Sequence, residues 1–323
     1  MDRRDFLKTI SKGVVASSTA GFAMPLVAQA GQVVAETGQD FYDDLGLSRS
    51  QIDQSIQYMS TLSPSRAAYL EEFQKFTDSA EPGLDLDRYR AKMQDFETAH
   101  REDIFVPTRQ FETLVATFKR LDRVQSLVGH GNFNVVSFDE ALQLGREHSV
   151  IGAFDKSETA FIESIFSANA HDYGFFGTRV VDKLTSVVNT RDRKKVGNTG
   201  HYLFRGDAEK LYRKLQTDLE NKVILTSGIR NIVKQTHLFL AKAIQSEGNL
   251  SRASRSLAPP GHSFHGIGDF DVGKIGFGSK NFTVQFAKTA EFHKLVELGY
   301  IDMRYPEDNL LGVRYEPWHI KVT

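Results

Sequence analysis

Apolar residues at Phe111, Leu114, Val115, Phe118 and Leu121 recur every three or four positions. That spacing lines one face of an α-helix and predicts one over 111–127. Similar spacing through Ile52, Ile56 and Met59 predicts an earlier helix, capped by Ser48 or Ser50. Ser63-Pro64 opens another over about 65–76, and Glu81-Pro82-Gly83 breaks it before a third over 84–100. Gly129-His130-Gly131-Asn132 stops the long helix, and two or three more follow within 137–196. The leucine and aromatic stripe reads as core rather than as a cofactor box.

From Gly197 the pattern alternates between helices and short strands. A helix over 207–219, with Asp207 as its cap, precedes the β-rich run Lys222-Val223-Ile224-Leu225-Thr226. A helix over 231–245 follows, then a proline- and glycine-rich loop over 257–268. Strands are expected at 270–272 and 282–285 around the glycine-rich turn 273–278, a helix at 289–298, and a last strand at 312–322. The fold class is α+β, a helical N-terminal region followed by a small antiparallel-sheet domain. Expected boundaries are 31–150 for a helical accessory region, 151–195 for a helical connection and 196–323 for the sheet domain.

Composition narrows the options. Apolar residues make up 40% and charged residues 25%, as in ordinary globular proteins, and the net charge of −1 gives no electrostatic case for nucleic acid. Without cysteine there is no disulfide, thiolate nucleophile or cysteine-bound zinc. The start of the chain reads as an export signal. Arg3-Arg4-Asp5-Phe6-Leu7-Lys8 is a twin-arginine segment, the run 13–27 is weakly apolar, and Ala28-Gln29-Ala30 is a small-residue cleavage site. Residues 1–30 are therefore expected to be removed, leaving a periplasmic chain with no integral membrane segment.

Two stretches carry candidate chemistry. One is Tyr315-Glu316-Pro317-Trp318-His319-Ile320; the other runs from Pro259 through His262, Ser263, His265, Gly268 and Asp269 to Asp271. Together they offer two imidazoles and a carboxylate, the ligand set of a catalytic zinc site with one open position. His265, Asp271 and His319 are the candidate ligands, and Glu316 the candidate general base. On a regular strand Glu316 and His319 would face opposite ways, so a bend at Pro317 must bring them together. Arg230 suits a free carboxylate, because a guanidinium binds one through two parallel hydrogen bonds, although it can equally serve an ion pair within the fold. Arg252 and Arg255 either join it or decorate a solvated loop. His171-Asp172 reads as a turn between helices, Arg191-Asp192-Arg193-Lys194-Lys195 as a solvated loop, and His262 and His293 as non-ligands. Gly276-Phe277-Gly278 lacks the following helix that nucleotide binding would need.

The two stretches resemble the signatures of VanY-type D-alanyl-D-alanine carboxypeptidases, zinc peptidases of bacterial cell-wall peptides. Ser263, His265, Gly268 and the run Glu316-Pro317-Trp318-His319 match directly. Ser227-Gly228-Ile229-Arg230 with Gln235 matches a third motif, Ile229 replacing the usual tyrosine. The resemblance covers roughly 196–323 and implies a zinc D,D-carboxypeptidase acting on peptidoglycan stem peptides. An endopeptidase or L,D-carboxypeptidase would use the same metal chemistry, and an inactive peptidoglycan-binding protein is the alternative from another class. It also implies that Arg230, Gln235 and Ser263 face the substrate, while Pro317 and Trp318 shape the cleft. The family places its aspartate seven residues after the first histidine, where this chain has Val272. Asp271 keeps the Asp-hydrophobic-Gly exit and is taken as the ligand. Asp269 is expected to hold a histidine or the arginine.

Overall fold

The computed structural model describes residues 47–60, 86–301 and 304–322. The expected export signal over 1–30 and the helix over 65–76 lie outside the described residues. Among those described, α1 spans Arg49–Ser60 and α2 spans Leu86–Gln94. The second helix stops short of the expected 100, where Thr98 Oγ1 donates to the Asp95 side chain at 2.6 Å and turns the chain locally.

The long helix α3 spans Phe111–Val128 and buries Leu114, Phe118, Leu121 and Val124. It ends where Gly129 takes φ 82°, a left-handed backbone that suits glycine. Helices α4 (Phe138–Glu147) and α5 (Lys156–Ser167) each begin with a reciprocal capping box, Ser137 with Glu140 and Asp155 with Glu158. After α5, Ala170, Tyr173 and Phe175 turn inward while His171 and Asp172 stay exposed, as a turn requires.

Strands β1 (Arg193–Lys195) and β2 (Tyr202–Phe204) form a small antiparallel ladder. The basic run expected as a loop is therefore partly strand. Helix α6 covers Asp207–Asp218, and its N-cap is Gly206 rather than Asp207, which sits in the first turn near the positive end of the helix dipole. Strand β3 (Val223–Ser227) leads to the buried helix α7 (Ile232–Gln245), whose first amide donates to the Asn231 side chain at 2.8 Å. Helix α8 (Leu250–Ser256) stands where Arg252 and Arg255 were expected to lie on a loop or face substrate. Arg255 is instead buried, donating two bonds of 2.8 and 2.9 Å to Asp103.

Strand β4 spans Phe270–Lys274, α9 spans Ala290–Glu297 and β5 is only His319–Ile320. Strand order is β3-β4-β5, all antiparallel. No strand forms at 282–285, because the Asn281 side chain occupies the backbone of Lys274, accepting from its amide at 2.8 Å and donating to its carbonyl at 3.1 Å. Most of the expected strand at 312–322 bonds outside the sheet, Arg314 to Arg255 and Glu316 to Tyr305.

One apolar core joins α1, α3, α4 and α5 to α7 and α8, so residues before 170 pack against residues after 230. A second core lies under the sheet, where Leu225, Phe270, Val272, Trp318 and Ile320 meet α6 and α9. Among the described residues no helix is long and apolar enough to cross a membrane.

Candidate metal centre and active site

The sheet itself assembles the centre. Ser227, Asp271 and His319 are register partners across β3, β4 and β5, so Asp271 and His319 stand side by side. His265 comes from the short turn Phe264–Gly266 and reaches the same place. Its Nδ1–H donates to the Gly228 carbonyl at 2.8 Å, because a carbonyl can only accept. That bond leaves the lone pair on Nε2, which lies 3.3 Å from Asp271 Oδ1. His319 is held the opposite way round. Nε2–H donates to Asp269 Oδ2 at 2.9 Å, and Nδ1 lies 3.2 Å from Asp271 Oδ1.

His265 Nε2, Asp271 Oδ1 and His319 Nδ1 are all buried and make no hydrogen bond. One ligand atom from each residue lies within 4.8 Å of the others, close enough for one metal ion. Buried polar atoms left without partners are costly, and three converging on one point form a donor set suited to a cation. Two imidazoles and a carboxylate fit zinc, and each histidine is oriented by an outer partner, as zinc-binding histidines usually are.

Both aspartates face the same side of β4, as residues two apart on a strand should. Asp271 meets His265 and His319, whereas Asp269 sits behind His319. Asp269 also accepts from Arg304 Nε at 2.6 Å and from the Val322 amide at 2.9 Å. Burial opposes ionisation of both, but His319 and Arg304 hold Asp269 far below the usual carboxylate range, and the histidines with Arg230 do the same for Asp271. For His319, burial disfavours the charged ring, and the two carboxylates outweigh it to raise its pKa to about 9. The same negative field answers a divalent cation.

Glu316 is brought beside His319 by a turn at Pro317-Trp318, with the His319 amide donating to the Glu316 carbonyl at 3.2 Å. Glu316 Oε2 lies 3.8 Å from His319 Nδ1. Burial is the largest influence on Glu316 and pushes its carboxyl up to about 7, against the pull of His319 and Arg314.

Arg230 Nη2 donates to Asp271 Oδ2 at 3.2 Å, while its Nε–H makes no hydrogen bond. Part of the guanidinium thus serves an ion pair within the fold. Gln235 donates to the Ala258 carbonyl at 2.6 Å, tying down the loop that leads to His265, and its Oε1 has no partner. Ser263 is buried at the start of the His265 turn. His262 packs on Phe175, with ring centres 5.3 Å apart, and His293 is exposed. Neither joins the cluster. Sequence reasoning missed Arg304 and Tyr305, whose ring centre lies 5.1 Å from that of His319. They follow the last helix in a stretch without periodic pattern, so only the charge of Arg304 marked it.

Residues 203–322 match the family model described as VanY: D-alanyl-D-alanine carboxypeptidase. That segment runs from β2 to β5 and holds every residue of the cluster, so the likeness to VanY-type peptidases lies where the candidate metal ligands are. Two solved structures are also similar. One is a mutant of a vancomycin-resistance D,D-pentapeptidase, VanY, from a VanB-type resistance cassette, in complex with Zn(II). It is 21% identical with a TM-score of 0.32, over 46% of this chain and 88% of that one. The other is VanYB in complex with D-alanine-D-alanine, 23% identical with a TM-score of 0.32, over 41% of this chain and 77% of that one. No curated protein matches the chain.

Proposed function

We propose that the chain is a zinc-dependent D,D-carboxypeptidase that removes the terminal D-alanine of peptidoglycan stem peptides. The observation that carries this reading is the convergence of three buried, unbonded ligand atoms inside the VanY-type segment. His265 Nε2, Asp271 and His319 Nδ1 would hold the ion. When bound there, zinc supplies Lewis acidity toward a water and a peptide carbonyl at neutral pH.

The chain's own groups do the rest. Glu316, beside His319, takes the proton of the attacking water and returns it to the leaving amine. Burial near neutrality suits a group that must do both. Arg230 offers its unbonded Nε–H to the free carboxylate of the terminal D-alanine while its Nη2 steadies Asp271. Ser263 borders the substrate, and Gln235 fixes the loop between them. The twin-arginine segment and a cell-wall substrate together support export to the periplasm as a folded protein.

A defined muramyl pentapeptide, with products identified by mass, tests this reading. Release of one D-alanine is expected. A cut elsewhere in the peptide would indicate an endopeptidase or L,D-carboxypeptidase, and binding without hydrolysis an inactive recognition protein.

A further inference from the structure

A cavity of about 380 Å³ lies beside Trp318, with Met93, Phe96, Val284, Glu307 and Arg314 also in its lining. Met93 and Phe96 come from the helical region, outside the segment that matches the family. The Arg314 guanidinium lies over two aromatic rings, 4.9 Å from the centre of Phe96 and 5.0 Å from that of Trp318. Its Nη2 donates to the Phe282 carbonyl at 3.1 Å, but its Nε–H makes no hydrogen bond.

The wall supplied by the helical region is firmly fixed. Glu97 accepts from Lys242 at 2.8 Å and from Arg252 at 2.6 Å. Arg255 donates to the Thr98 carbonyl at 2.8 Å as well as to Asp103. The cavity also adjoins the chemistry, since Trp318 precedes His319 in the chain and Arg314 is close enough to pull electrostatically on Glu316. Its lining therefore combines a cation over aromatic rings, an exposed carboxylate at Glu307 and apolar walls.

We propose that this cavity is the subsite for a substrate side chain that ends in an amino-acid head, an ammonium and a carboxylate on one carbon at the tip of an aliphatic arm. Arg314 takes the carboxylate, Glu307 takes the ammonium, and Met93, Val284 and the rings cover the methylenes. A lysine side chain has the arm and the ammonium but leaves Arg314 unanswered. The accessory helical region thus completes a specificity pocket for the peptidase segment. This deepens the proposed function and rests on it.

The test is calorimetric titration of the full, zinc-loaded chain with two stem tetrapeptides, identical except for diaminopimelate or lysine as third residue. The diaminopimelate peptide should bind about tenfold more tightly, the size of one hydrogen-bonded charge. Glu307→Gln and Arg314→Lys should each reduce that preference to about threefold or less. Glu307 is exposed, so its variant keeps the fold. Equal affinity of the wild type for both peptides, no measurable binding of either, or an undiminished preference in both variants would overturn the subsite. Release of D-alanine from the matching pentapeptides is followed in parallel. Hydrolysis with equal binding condemns the subsite alone, whereas selective binding without hydrolysis condemns the D,D-carboxypeptidase reading alone.

Discussion

Asp269 and Asp271 both touch His319, yet the geometry gives them different work, and replacing each with alanine separates the two. Asp271 presents an unbonded oxygen to both histidines. Its loss removes one of three ligands and should abolish stoichiometric zinc binding at micromolar metal. Asp269 presents no oxygen to the point between the ligands. It fixes the ring of His319, and its loss should weaken zinc by ~10 to 100-fold while one zinc per chain is retained. The cost in stability should run the other way from that mild effect. Asp269→Ala removes the carboxylate to which the Arg304 guanidinium and the Val322 amide donate at 2.6 and 2.9 Å. Breaking a buried pair on one side costs about 3–5 kcal/mol, a large part of the roughly 5–15 kcal/mol that a domain has. Zinc affinity by competition with a chromogenic chelator, and urea unfolding of the metal-free proteins, supply the two readouts. If Asp271→Ala keeps stoichiometric zinc while Asp269→Ala loses it, the assignment of the two carboxylates is reversed and the reasoning fails.

Glu316→Ala should still bind one zinc per chain but hydrolyse substrate ~10² to 10⁴-fold more slowly; activity within a few-fold of wild type would leave Glu316 without a part in proton transfer. Asp103→Ala should lower unfolding free energy by about 3–5 kcal/mol in urea titration, because Arg255 is buried and loses the carboxylate to which it donates two hydrogen bonds. Gly228→Ala should weaken zinc binding without touching a ligand, since a Cβ there would meet the Tyr202 carbonyl at 2.0 Å and displace the acceptor of His265; unchanged affinity would show that the backbone gives way elsewhere. Arg3→Lys with Arg4→Lys should leave the protein in the cytoplasm with residues 1–30 attached, and fractionation showing normal export and processing would refute the twin-arginine reading.

The parts of this fold that the sequence displayed were those whose cause is local. The stripe of α3 and the β-rich run of β3 act within one or two turns, and they appear where the residues predict. The candidate ligands were legible because their chemistry is rare and their motifs short. What stayed hidden depends on partners far away in sequence. Arg255 looked like a loop cation until Asp103 supplied its buried carboxylate. Arg304 gave no sign of serving Asp269, which it meets from beyond the last helix. The expected strand at 282–285 failed because Asn281, a residue that patterning treats as mere punctuation, closes the edge of β4 with its own side chain.

The same distinction explains how the candidate ligand Asp271 can sit one position earlier than the VanY-type spacing places its aspartate. The amides of Ile267, Gly268 and Asp269 all donate to the single carbonyl of Phe264, at 3.0, 3.0 and 3.2 Å. Gly268 there has φ 152°. Three amides on one acceptor make a turn with little slack, so fewer residues separate His265 from the sheet. Strand β4 then enters with Phe270 opposite Ile320 and Asp271 opposite His319. An irregularity between Leu225 and Ser227 brings Ser227 into register with Asp271 on the other side, and Gly228, the next residue, offers its carbonyl to His265. Had the turn been looser by one residue, β4 would have met β5 with every side chain on the opposite face. Asp271 would then have pointed into the apolar core beneath the sheet. The spacing of six and the tight turn are therefore one adaptation: the register fixes which aspartate can reach both histidines, and the turn absorbs the missing residue.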